Sequence, residues 1–400
     1  MNRMFRQWRL LRYMSWPMTI ATALLLMIGV LFVYSARYVS DDLPVQSLYR
    51  RQILWAAFGL VCYFGLAAAD YRRLRRLSWW LYGACLFLLA LVLAVGKQAY
   101  GAQRWLVLFG GVGVQPSEFA KLGVIVILAR RLSRPGVDYG RLPHLAVLLG
   151  IVALPVGLVL KQPDLGTAAV FVPTALLILF AAGVRLKVIG SLVLAGGVGV
   201  GVLLGAVFLP EKLEASEETQ ARIARYSGLS GYQRQRLVAF VQADRDPLGA
   251  GWSKMQSEIA VGSGGFWGKG FLKGTQNILG FLPRSVAPTD FIYSVIAEEK
   301  GFFGSAVVLL LFAVITVSGL RTAVASRDRL GRLLCVGIVG VLFCHVFVNI
   351  AMTVGLMPIT GLPLPLLSYG GSFMVVMLSG LGIVQSVRIR SRRTRLSLGE

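Results

Sequence analysis

The sequence predicts an all-α polytopic membrane protein: about ten transmembrane helices in one bundle, with a long extracytoplasmic loop between spans seven and eight. Three observations predict it. The 400-residue chain is 56% hydrophobic and only 15% charged, with a mean hydropathy of +0.70, more apolar surface than a soluble domain of this size hides. Several apolar stretches approach the roughly 20 residues that a helix needs to cross a bilayer. They are continuous runs, unlike the short alternating segments of an outer-membrane barrel.

The spans are read at 17–36, 53–69, 79–96, 117–130, 143–160, 166–183, 187–209, 291–318, 333–353 and 371–387. The first is too long for a signal-peptide core and lacks a small-residue cleavage site, so it is a span. The fourth is short, and the GGVGVQPSEF segment before it is expected at the interface. A net charge of +23 invites a nucleic-acid reading, but the arginines sit in short stretches between apolar runs. With the N-terminus placed in the cytoplasm, Arg3, Arg6, Arg9 and Arg12 are inside. The clusters 72–76, 130–141, 185–187, 321–332 and 388–395 then also fall inside, as the positive-inside rule requires of an even span count. This reads as membrane anchoring and not as a nucleic-acid patch. Cys62, Cys85, Cys335 and Cys344 all lie in apolar segments without ligand spacing and read as small apolar fillers.

The opposite side carries one long segment, 210–290. It is rich in glycine, and its amphipathic pieces Gln233–Val241 and Ser253–Val261 are expected as short helices on the membrane surface. A loop this long in a compact protein is usually functional. The whole of 1–400 reads as a single integral membrane domain.

Polar residues in or beside spans are expensive and therefore candidates. Asp290 opens span eight before an apolar run; it suits a partly desolvated proton acceptor and equally a helix N-cap, as does Thr289. Glu298, Glu299 and Lys300, about two turns on, read as an ion-paired cluster near the inner end of the span, Glu298 less readily than the others. Glu118 and Lys121 are three apart and share a helix face, which favours a structural ion pair. Arg104 suits a phosphate, and Trp105 beside it suits interfacial anchoring. Lys161, Gln162, Pro163 and Asp164 read as a turn. The segment GLPLPLLSYGGS (361–372) is helix-breaking and survives at a membrane boundary only if covered by protein or water. His144 and His345 read as lone structural histidines. These residues alone do not separate a transferase from a transporter.

Five segments in order resemble the SEDS family, the RodA/FtsW/SpoVE proteins: GAQRW with QPSEFAKL; KQPDLGTA; DRDPLGAGWSKMQSEIAVGSGGFWGKGFLKGTQ; FLP with PTDFIYSVIAEEKGFFG; and MPITGLPLPLLSYGGS. GKGFLKGTQ and the last segment are more similar to the RodA branch than to FtsW. The resemblance implies a peptidoglycan glycosyltransferase that polymerises lipid II during cell elongation, in the bacterial inner membrane with both termini cytoplasmic. The alternatives are an FtsW-type division polymerase, a lipid II flippase and a noncatalytic scaffold. By resemblance Asp290 is the essential aspartate, here proposed as general base. Arg104, Trp105, Glu118, Lys121, Lys161 and Ser368 are the expected substrate-binding set. No organic cofactor is expected; a Mg²⁺ or Mn²⁺ ion would be shared between Asp290 and the substrate phosphates. The implied partners are a class B penicillin-binding protein and other elongation-complex proteins. One departure stands out: RSVAP separates Pro283 from Thr289, two residues longer than the family pattern and without its Glu and His.

Overall fold

A computed structural model describes residues 12–38, 48–99, 102–107, 113–137, 139, 141–212, 234, 236, 238, 240 and 250–397. Its longer helices are α1 (Trp16–Ser35), α2 (Leu48–Ala68), α3 (Leu74–Val95), α4 (Pro116–Leu132), α5 (Leu142–Lys161), α6 (Leu165–Ala181), α7 (Leu186–Lys212), α8 (Ala250–Ser263), α9 (Ile292–Ala325), α10 (Arg329–Thr353) and α11 (Gly371–Ser397). Among the described residues eight helices are long and apolar enough to cross a membrane. The shorter α4 and α6 fall where the sequence places its fourth and sixth spans. Cys335 and Cys344 are buried among these helices, and Cys62 and Cys85 are partly buried.

Local chemistry starts the helices. Proline stands in the first turn of α1, α4 and α5, where its missing N–H has no intrahelical partner to lose. Asp164 caps α6 by accepting the Thr167 N–H, which also suits the positive end of the helix dipole.

The arginine-dense segments meet at one end of the bundle. Arg390 pairs with Asp70 at 3.4 Å, Tyr71 donates to Asp328 at 2.5 Å, and Arg130 donates to Ser78 at 2.7 Å. Gln385 on α11 ties the chain's first and last spans together there: it accepts from Ser15 N at 2.8 Å and donates to Tyr63 Oη at 2.8 Å. Arg3, Arg6 and Arg9 lie outside the described residues.

Three features differ from the sequence reading. Arg104 and Trp105, read as lying in a loop between spans, instead stand on β2 of a small antiparallel sheet of order β1 (Lys97–Ala99), β2 (Ala102–Val107), β3 (Gly113–Val114). The six residues of 102–107 are too few to span a membrane, and their backbone pairs in a sheet instead. Second, α8 does not lie free on the membrane surface. It packs on α9 and α10, with buried Ser257 hydrogen-bonded to Ser294 at 2.7 Å and to the Thr353 carbonyl at 2.9 Å. Most of Gln233–Val241 lies outside the described residues.

Third, α9 runs 34 residues and is broken at Gly301, with φ 63° and ψ −159°. At 1.5 Å per residue it would measure about 51 Å, well beyond a hydrocarbon core of about 30 Å. The break shows why: Ile292–Glu299 is a buried segment at the end opposite the arginines and the span proper follows it. Glu298 and Glu299 consequently sit at the end opposite the arginines, not at an inner end. Glu298 pairs with Lys269 of the long loop at 2.7 Å. Glu299 accepts from Ser35, at the C-terminal end of α1, at 2.5 Å and from Leu272 N at 3.1 Å.

The tightest helix contact is α2 against α11. A Cβ on Gly382 would come within 2.5 Å of the Tyr63 carbonyl oxygen. Gly382→Val is therefore expected to destabilise the protein by about 1–3 kcal/mol through overpacking. Gly150→Ala, where a Cβ meets nothing within 4 Å, should leave the melting temperature in detergent unchanged or slightly raised. Equal melting of both variants would contradict close α2–α11 packing.

Candidate functional site

The site begins with a turn. Val286 O accepts the N–H groups of Thr289, Asp290 and Phe291 at 3.1, 2.9 and 3.2 Å, and the Thr289 hydroxyl at 3.1 Å. Val286 N and Ala287 N in turn donate to Pro283 O at 3.1 and 3.0 Å. The unusual RSVAP stretch is thus folded into a compact turn. Phe291 is the N-cap of α9 and no side chain caps it. Neither Thr289 nor Asp290 does the capping job that position alone allowed, which leaves the Asp290 carboxylate for something else.

The backbone of Asp290 is held from α10 and from the 361–372 segment. Asn349 Nδ2 donates to Asp290 O at 2.9 Å and to Leu362 O at 2.7 Å, bridging the two segments with one amide. Ser368 Oγ donates to Thr289 O at 2.5 Å and accepts from Leu364 N at 2.7 Å. Tyr369 N donates to Pro288 O at 2.8 Å. Ser368, expected at the substrate, is therefore turned inward and 1% exposed. The reason is general: non-helical backbone at membrane depth must find its partners inside the protein.

Around the carboxylate stand groups from four parts of the chain. Gly361, at φ 74°, lets the backbone come close: a Cβ there would lie 3.2 Å from Arg236 Nη1 and 3.5 Å from Asp290 Oδ2. Arg236, from the long loop, donates to Ile359 O at 3.1 Å. Arg104 on β2 donates to Gln162 O at 3.2 Å and to Pro163 O, and pairs with Asp164 at 3.8 Å. Asp164 also accepts from Thr167 Oγ1 at 2.9 Å and from Gln115 Nε2 at 3.1 Å. The KQPD stretch is therefore a clamp that joins β2, α4 and α6, and not a plain turn. Burial pushes the Asp290 carboxyl up from its ordinary range, and the nearby Arg236 and Arg104 oppose that push. Trp105, one residue along the strand from Arg104 and so on the other face, packs over Gly113, where a Cβ would sit 3.2 Å from its ring. Lys161 is exposed at the end of α5.

Glu118 and Lys121 do pair, at 2.8 Å, and both are only 2% exposed. The pair continues: Lys121 Nζ is 2.7 Å from His345 Nε2, and His345 Nδ1 is 3.3 Å from Pro363 O. Phe373 covers the group, its ring centre 5.5 Å from Lys121 Nζ. A buried pair gains little net stability, but losing one partner strands a charge. These residues lie behind the 361–372 segment and support it, not at its surface.

Asn349, Arg236 and His345 were not singled out as site residues by the sequence. A signal existed for two of them: His345, Asn349 and Thr353 recur every fourth residue, one polar stripe along an otherwise apolar span. No such pattern marks Arg236. Among the described residues no group of three or more His, Cys, Asp or Glu gathers as a metal site. A divalent cation at this site would have the Asp290 carboxylate as its protein ligand and would need its remaining ligands from water and substrate oxygens.

The family model FtsW/RodA/SpoVE, described as "Cell cycle protein", matches residues 16–393. The peptidoglycan glycosyltransferase MrdB of Escherichia coli (strain K12) is 39% identical over 91% of this chain and 92% of its own length. The stage V sporulation protein E of Bacillus subtilis (strain 168) is 35% identical over 94% and 97%. A chain from a peptidoglycan synthase complex, solved for its coordination of polymerization and crosslinking, superposes with a TM-score of 0.74 at 31% identity, covering 94% of this chain and 98% of that one. The rod shape determining protein RodA of Thermus thermophilus gives 0.65 at 29%, covering 94% and 96%.

Asn349→Leu should leave two buried carbonyls unpaired, at about 1–3 kcal/mol each. The expected result is a lower melting temperature together with greater proteolysis at 283–291; an unchanged fragment pattern would contradict the bridging role.

Proposed function

This chain belongs to the FtsW/RodA/SpoVE family, and from that premise we infer how it works. It is a multi-pass membrane peptidoglycan glycosyltransferase of the RodA type, polymerising lipid II into glycan strands for cell elongation. The reading places it in the inner membrane with both termini cytoplasmic; the gathering of the arginine-dense segments at one end supports that orientation. Its proposed partners are a class B penicillin-binding protein, which crosslinks the new strands, and other elongation-complex proteins.

The observation that carries the catalytic assignment is the Asp290 carboxylate: it caps no helix, its backbone is fixed on two sides, and Arg236 and Arg104 bear on it electrostatically. In the proposed step the 4-hydroxyl of the acceptor GlcNAc attacks C1 of the donor MurNAc. The C1–O bond to the diphosphate breaks with its electron pair leaving on the diphosphate, and Asp290 takes the hydroxyl proton. The donor is α-linked and the product β-linked, so one in-line displacement with inversion suffices and no covalent enzyme intermediate is required. Arg236 and Arg104 supply positive charge where the leaving diphosphate gains negative charge. Trp105 and Lys161 border the same outer end as further substrate contacts. Glu118, Lys121 and Ser368 act by holding the 361–372 backbone. A Mg²⁺ or Mn²⁺ ion held by Asp290 and the diphosphate would add charge neutralisation.

Two outcomes test this. Asp290→Asn, folded and inserted, should lower polymerisation of labelled lipid II by at least ~100-fold with the partner's transpeptidase site blocked; equal glycan from both proteins would remove Asp290 from the reaction, and lipid translocation without glycan would favour a flippase. The pH profile gives a second check. A base with a raised pKa loses its active form as pH falls through that value, so the acid limb should lie above the ordinary carboxylate range. Arg236→Gln removes a cation that favours the charged carboxylate and should move this limb to higher pH. A shift to lower pH would contradict the arrangement.

A further inference from the structure

At the arginine-rich end, far from Asp290, a cleft of about 680 Å³ opens between the start of α1 and the second half of α9 and reaches the end of α11. Its walls are apolar, from Trp16, Leu310 and Val317, and its polar end carries Arg321, Arg388 and Arg392. Among the described residues no acidic side chain lines it. Arg321 and Arg392 are exposed and Arg388 is half-buried. Trp16, 53% exposed, stands where an aromatic marks the edge of the membrane. The volume equals roughly twenty water molecules at ~30 Å³ each, too large to be a packing defect. Its apolar walls face the lipid, so an acyl chain fills it more favourably than water does.

We propose that this cleft binds an anionic glycerophospholipid from the leaflet on the arginine-rich side. The phosphate sits among the three guanidiniums, whose planar forks match phosphate oxygens, and one acyl chain lies along the Leu310–Val317 face of α9. Basic pockets between transmembrane helices recognise acidic headgroups in this way. Which leaflet that is rests on the orientation proposed above; the binding itself does not.

The test is native mass spectrometry of the purified full chain in detergent, titrated with dioleoyl phosphatidylglycerol or dioleoyl phosphatidylcholine. Wild type should retain one phosphatidylglycerol at about tenfold lower concentration than phosphatidylcholine. Arg321→Gln with Arg392→Gln should weaken retention roughly thirtyfold, the loss expected for two basic side chains at a membrane surface, while Lys at both positions restores most of it. Val317→Trp keeps every arginine and fills the cleft, so it should also lose the lipid even if the glutamine variant proves unstable. Equal retention of the two lipids, or undiminished phosphatidylglycerol binding by both the glutamine and the tryptophan variants, would overturn the proposal. So would preferential displacement by undecaprenyl diphosphate, which would give the cleft to the polyprenyl carrier. Impermeant labelling of Arg392→Cys in spheroplasts reads the orientation separately: labelling from outside would reverse the leaflet and leave the binding result standing.

Discussion

Everything at the end opposite the arginines depends on one constraint: the backbone of 359–370 is not helical, yet it is largely buried in a membrane protein where water cannot satisfy it. Each of its carbonyl and amide groups needs a donor or acceptor from elsewhere in the chain. The answers come from distant places. Asn349 reaches Leu362, Ser368 folds back on Leu364, His345 reaches Pro363, and Gln52 on α2 donates to Ser368 O at 3.1 Å. Because Asn349, Ser368 and Tyr369 also grip residues 288–290, the same bonds that make this segment tolerable fix the position of Asp290. The stability of the irregular segment and the geometry of the carboxylate are thus one problem with one solution.

The buried Glu118–Lys121–His345 chain belongs to that solution. Charges inside a bundle are costly, and these are kept where they brace a proline-rich turn from behind. Gly166 adds a steric counterpart: a Cβ there would fall 2.6 Å from the Thr360 carbonyl, so α6 can lie directly against the segment only because that side chain is missing. Asp164, two residues earlier, then brings Arg104 to the same corner.

Hydropathy made most of the bundle legible, because the length of an apolar run is set by the bilayer and survives every detail of packing. Arginine asymmetry was legible for the same reason. Asp290 stood out as a carboxylate beside a span, but position alone left it level with a helix cap, and its freedom from capping could not be read from the sequence. What hydropathy misses is chemistry of long range. Arg236 looks like any basic residue of a long loop until the fold brings it to Gly361. The break at Gly301 is one glycine among 46, and only its packing against Gly268 and Phe266, whose atoms lie within 2.6 Å of where its Cβ would be, marks it as the point where a buried segment gives way to a span. Without that break Glu298 and Glu299 are counted about two turns into the membrane; with it they become the anchor for residues 265–276.

The Gln385 network has a consequence for how the protein is made. Ser15, Thr19 and Tyr63 enter the membrane early in synthesis, and the amide that satisfies them belongs to the last helix, about 320–370 residues later in the chain. Until that helix arrives, the Ser15 N–H and the Tyr63 hydroxyl lack their final partner, although Thr19 and Tyr63 already meet at 2.9 Å. The latest step of biogenesis is therefore the one that seals the earliest. Without α11, the first two spans would lack the amide that joins them.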